Sequence, residues 1–116
     1  MRAVSKYRAQ PTVVHGFRFA SKAEARRYTE LLLLGQAGEI RNLELQPRFP
    51  LTVDGVTVAT YVADFRYEEV AWNGPKGIDG TFRDVFEDCK GFKTPTYRLK
   101  KKHFEAQYGI AIRETR

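Results

Sequence analysis

The sequence predicts a single domain of the α+β or α/β class, built on one central sheet. Three observations point there. Two segments with apolar residues at helical spacing, 21–37 and 96–108, lie far apart in the chain. Between them run short stretches rich in Val, Thr, Tyr and Phe, separated by turn residues. The chain has 116 residues, enough for one domain with a substantial core and for little more.

The elements follow in order. Residues 1–16 read as an irregular basic arm with Lys6, Arg8 and Pro11, a short strand at 12–14 and a turn at His15-Gly16. The domain proper is expected over 17–116. A helix is predicted from Ser21 to about Ala37: Ala25, Tyr28, Leu31 and Leu32 share one face, Leu33 and Leu34 broaden it, and Gly35 or Gly38 can end it. Residues 43–53 read as a strand that Pro47 and Pro50 bend or confine to an edge. Asp54-Gly55 between Val53 and Val56 is a two-residue hairpin signal, so 56–67 is the partner strand. Residues 68–81, with Gly74, Pro75, Gly77 and Gly80, read as a loop. Strands are predicted at 82–90 and 110–113, with a helix from about Thr96 to Tyr108 between them, closed by Gly109 beyond its C-terminus.

Composition excludes several classes. An apolar fraction of 42% with 13% aromatic residues is too rich for a disordered chain. Cys89 is the single cysteine, so an internal disulfide and every multi-cysteine zinc pattern are ruled out. The longest apolar run, 31–34, falls far short of the roughly 20 residues of a membrane span. The first residues lack the apolar core of a secretory signal. A cytoplasmic protein without membrane contact or organic cofactor is expected.

The net charge of +6 is unevenly laid out. Residues 1–27 carry seven basic groups and one acid, and 89–116 carry eight basic groups and two acids. Residues 54–88 hold eight acids and three basic groups. One reading is a mixed solvated surface; the sharper one is a carboxylate-lined metal pocket set in a phosphate-facing surface.

Glu24, Asp64, Asp88 and Lys90 are the candidates for chemistry. Side chains alternate along a strand, so Phe86, Asp88 and Lys90 share one face while Val85, Glu87 and Cys89 share the other. Asp64 lies among Val62, Ala63 and Phe65, where an ionised carboxylate is costly unless paired or metal-bound. A buried structural ion pair is the plainer reading. Hard carboxylate oxygens otherwise suit Mg²⁺ or Mn²⁺, which would polarise a phosphate, with Lys90 placing a water or offsetting developing charge. No P-loop pattern is present.

The segments YVADF (61–65) and VFEDCKG (85–91) resemble the signature of the PD-(D/E)XK nuclease superfamily, an acid ending one hairpin strand and an acid-x-Lys triplet on the next. Ala63 stands where that signature has proline, and the triplet is Asp88-Cys89-Lys90, with Glu87 as an adjacent accessory candidate. Many members also carry a metal-binding glutamate in the first helix, and Glu24 in FASKAEARRY matches that place. Ser21-x-x-Glu24 reads equally as a capping box. The resemblance covers about residues 17–113 and is greatest to small phage and archaeal-type Holliday junction resolvases. It implies a restriction-endonuclease-like core, Glu24, Asp64 and Asp88 as ligands of Mg²⁺ or Mn²⁺, and Lys90 as a fourth catalytic residue. It also implies cleavage of four-way DNA junctions in recombination and repair by a homodimer, in the host bacterial cytoplasm if the gene is phage-borne. The alternatives are a nicking or repair nuclease of other preference, or a DNA-binding protein of the same fold that has lost catalysis.

Beside such a motif the basic ends read as phosphate contacts: Lys6, Arg8 and Arg18 on the arm side, Arg26 and Arg27 on the first helix, and Lys93, Arg98, Lys100, Lys101 and Lys102 around the last. Gln46 is expected on a strand facing the pocket, as an accessory residue. Tyr97, Phe104 and Tyr108 are expected in the core rather than stacked on bases, and Phe92, at the strand end, suits either role.

Overall fold

The computed structural model describes residues 11–71 and 82–116. Along them lie β1 (Thr12–Val14), β2 (Phe17–Phe19), α1 (Lys22–Gln36), β3 (Ile40–Leu45), β4 (Arg48–Val53), β5 (Val56–Val62), β6 (Phe65–Val70), β7 (Phe82–Cys89), α2 (Pro95–Tyr108) and β8 (Ile112–Thr115). The fold is mixed α+β. Its central sheet has the order β3-β6-β7-β8, antiparallel except for the parallel pair β7 and β8, which α2 connects. Residues 1–10, with Lys6 and Arg8, and residues 72–81 of the predicted loop lie outside the described residues.

Both helices begin and end as their sequences dictate. Ser21 Oγ accepts the Glu24 N–H at 3.1 Å, and Thr94 Oγ1 accepts the Tyr97 N–H at 3.0 Å. Pro95 occupies the first turn of α2, where no N–H is needed, and Gly109 closes it at φ 71°. β1 pairs with β2, an element the sequence reading lacks, so the ribbon crosses the expected arm boundary at 16/17. β6 runs on to Val70, past the expected strand end, and β8 sits two residues beyond its predicted place.

The two long predicted strands each break. The pairing Leu45 with Phe65 belongs to the central sheet, and Arg48 with Val62 to a separate β4–β5 ribbon. Between them the Gln46 N–H donates to Asp64 O at 3.0 Å and the Ala63 N–H to Pro47 O at 3.2 Å. The hairpin therefore keeps its register through a corner while both strands change sheet. Gln46 sits at φ 52°, in the left-handed region, and Pro47 has no N–H to give a ladder. Gln46 is thus at the corner and exposed, not on a strand as expected.

β7 is covered on both faces. Val85 joins Phe19, Tyr28, Leu31, Phe65 and Tyr67 under α1 and the β1–β2 ribbon. Phe86 joins Leu51, Tyr61, Phe104 and Ile112 under α2 and the β4–β5 ribbon. Phe104 is fully buried, with ring centroids of Phe49, Tyr61, Phe86 and Tyr108 within 5.5 Å of its own. Phe104→Ala should lower stability by about 3–5 kcal/mol in urea unfolding, because the ribbon and α2 lose their shared contact.

Candidate active site

The corner, the end of β7 and the first turn of α1 bring the singled-out residues into one neighbourhood. Asp88 is fully buried near the end of β7. Its Oδ2 accepts the Tyr61 hydroxyl from β5. Its Oδ1 lies 3.6 Å from Lys90 Nζ, too far for a hydrogen bond, and is buried without a hydrogen-bond partner. Burial raises the Asp88 carboxyl to about 6, and Lys90 acts against that rise.

Asp64 sits at the corner, between β5 and β6. Its Oδ2 accepts the Cys89 backbone N–H at 2.7 Å, and its own N–H donates to Glu87 O at 3.1 Å. The turn is in this way tied to the end of β7. Burial pushes the Asp64 carboxyl up, while the Cys89 N–H and the Lys90 charge pull it down. Glu24 is buried in the first turn of α1. Burial raises its carboxyl to about 7, with further rises from Asp64 and Asp88 and opposition from Lys90. The Ala20 backbone also pulls it down, and the Glu24 N–H, not its carboxylate, joins the Ser21 cap of the helix.

Lys90 follows β7. Its N–H donates to Thr115 O at 2.9 Å, and its Nζ lies 4.8 Å from the centroid of the Tyr97 ring. A cation and three acids thus share one site, where burial keeps two of the acids poised near neutrality. Among the described residues, no group of three or more histidine, cysteine, aspartate or glutamate side chains is placed to hold a metal ion as it stands. The donors suit a hard cation in kind, and the unpartnered Asp88 Oδ1 is an acceptor such an ion would satisfy. Ligation by all three acids would require their side chains to move.

The adjacent acid has another environment. Glu87 faces α1 and is fully buried. Arg27 Nε and Nη2 donate to its two oxygens at 2.7 and 3.1 Å, the Tyr67 hydroxyl at 2.5 Å and Thr115 Oγ1 at 3.0 Å. The Tyr67 hydroxyl is pushed up to about 12, by burial first and by this acceptor second. The structure thus turns two candidates toward each other: Glu87 away from Asp88, and Arg27 inward onto Glu87 rather than out to solvent. Arg18, Arg26, Lys93, Arg98 and Lys102 are exposed, with Lys100 and Lys101 half-exposed.

Two residues of this region escape a linear reading. Tyr61 reaches Asp88 because the corner folds β5 over β7. Glu114 pairs in register with Asp88 across β7 and β8. Its carboxylate accepts the Tyr97 hydroxyl at 2.7 Å and meets Lys93 and Lys101 at 3.0 and 3.5 Å. Burial raises the Glu114 carboxyl, but Tyr97 and the two lysines outweigh it and leave it below its usual range. Period-2 alternation on β8 would have found Glu114 had the strand been placed two residues later.

Two outcomes follow. Arg27→Ala should cost about 3–5 kcal/mol in urea unfolding by stranding the buried Glu87, whereas exposed Arg26→Ala should stay within about 0.5 kcal/mol. Glu24 and Asp88 bind a proton more tightly folded than unfolded, moving from 4.5 to about 7 and from 3.8 to about 6. Without divalent ions, stability should therefore fall as pH rises from about 4 to about 7. Asp88→Asn should remove part of that loss and raise the melting temperature at pH 8, where about 1 kcal/mol is worth roughly 4 °C.

Residues 4–115 match a family described as protein of unknown function, DUF1064. No curated protein and no solved structure matches the chain. The family match takes in the corner, the acids, Lys90 and Glu114 together, and with nearly the whole length covered the chain belongs to the DUF1064 family.

Proposed function

We propose that the protein is a metal-dependent endonuclease of the PD-(D/E)XK type, with a restriction-endonuclease-like core, that cuts four-way DNA junctions. One observation carries this reading. A fully buried aspartate keeps an oxygen without a hydrogen-bond partner, 3.6 Å from a lysine and beside two further acids. A structural ion pair would be expected to satisfy both oxygens, as Arg27 does for Glu87. The hydrogen-bond shortfall at Asp88 is the kind of cost that persists where a ligand completes the site.

Asp64 and Asp88, with Glu24 from α1, would hold Mg²⁺ or Mn²⁺. The bound ion would supply Lewis-acid polarisation of the phosphate and a more acidic water. Tyr61 and the Cys89 N–H fix one oxygen of Asp88 and of Asp64, which sets the orientation of both carboxylates. Lys90 carries its charge beside Asp88, where it would orient water or offset charge on the phosphorane-like transition state. The exposed cations Arg18, Arg26, Arg98 and Lys102 would meet phosphates of the DNA backbone. Symmetric cutting of two strands requires two sites, hence a homodimer.

Purified protein with Mg²⁺ should cut a synthetic four-way junction faster than a linear duplex of the same arms. Lys90→Ala should slow cleavage about 100- to 1,000-fold, and Asp88→Asn should abolish it while junction binding persists. Equal cutting of junction and duplex would reject junction selectivity and keep the nuclease. Absence of cleavage with both Mg²⁺ and Mn²⁺, alongside intact binding, would favour a DNA-binding protein without catalysis.

A further inference from the structure

Beside Lys90 the surface sinks into a cleft of about 550 Å³, bounded by the turn after β7, the first turn of α2 and the end of β8. That lies within the roughly 300–1,000 Å³ typical of small-molecule sites. Lys90, Lys93, Arg98 and Arg116 give its walls four cations, and Glu114 is the acid among its lining residues. The Glu114 carboxylate is engaged by Lys93, Lys101 and the Tyr97 hydroxyl. A cationic wall remains in excess. On the same wall stands Phe92, 57% exposed, two residues beyond Lys90.

We infer that this cleft is a nucleotide subsite for an unpaired stretch of DNA strand, with phosphates on the cations and a base stacked on the Phe92 ring. The inference rests on the nuclease reading only in placing that strand next to the bond to be cut. A base inside a duplex is stacked on both faces and offers none to a side chain. An unpaired base offers a whole face, and any base will serve, since each has a π-face. Cations alone would bind duplex and single strand alike. The exposed aromatic ring among them supplies the preference, and it would direct the enzyme to DNA with locally unpaired nucleotides, as at branch points, flaps and ends.

The test is fluorescence anisotropy of the whole chain in EDTA, so that binding is read without cleavage. The probes are a labelled oligothymidylate, an abasic strand of the same length and a duplex. Phe92→Ala should weaken oligothymidylate binding about 5- to 150-fold, the equivalent of roughly 1–3 kcal/mol for one stacked base. Binding of the abasic strand and of the duplex should hold within about two-fold, with an unchanged salt slope, and Phe92→Trp should restore affinity. Arg98→Ala should instead weaken all three probes and flatten the salt dependence by about one unit. Equal losses on thymidylate and abasic strands, no loss on either, or no binding of oligothymidylate by the wild type would overturn the subsite. A protein that shows the expected pattern but never cleaves keeps the subsite and loses the nuclease reading. One that cleaves while Phe92→Ala binds as wild type does the reverse.

Discussion

Burying a carboxylate is costly unless it is paired, and β7 buries two in succession. The rest of the structure is arranged around how each is answered. Glu87 points to the α1 face, where an arginine fork, a tyrosine hydroxyl and a threonine hydroxyl meet its oxygens. Asp88 points to the opposite face, where Tyr61 meets one oxygen and the other goes without a hydrogen bond. Strand alternation alone separates the two roles: one acid ties helix to sheet, and its neighbour faces the candidate site with capacity to spare.

The corner in the long hairpin is the second device. A straight hairpin would carry Asp64 onward in the central sheet. Because Gln46 adopts a left-handed backbone and Pro47 offers no N–H, the strands leave the sheet together and keep their pairing through two backbone bonds. The turn brings Tyr61 over Asp88 and sets Asp64 against the Cys89 N–H. It also lets one hairpin serve two cores, its first half facing α1 and its second half facing α2.

Electrostatics links the candidate site to the cleft beside it. Glu114 lies level with Asp88 on the neighbouring strand and gathers Lys93 and Lys101 around one oxygen. Two cations that would otherwise repel each other are thereby held at the mouth of α2, and Tyr97 is locked between Glu114 and Lys90. A basic stretch that looks in the sequence like an undivided run is split by the fold into lysines held by Glu114 and exposed cations such as Arg98 and Lys102.

The sequence by itself determined the fold class, both helices with the Ser21 and Gly109 caps, the Asp54-Gly55 hairpin and the grouping of Glu24, Asp64, Asp88 and Lys90. Those features rest on local chemistry: apolar spacing, cap residues, turn residues and alternation along one strand. Only the tertiary structure decided the corner at Gln46, the inward turn of Arg27 to Glu87, the reach of Tyr61 to Asp88 and the place of Glu114. Each depends on partners 26 to 60 residues apart or on a backbone conformation that a neighbouring strand selects. Residue spacing along one segment carries no record of such partners, because burial and pairing are settled only when the layers close.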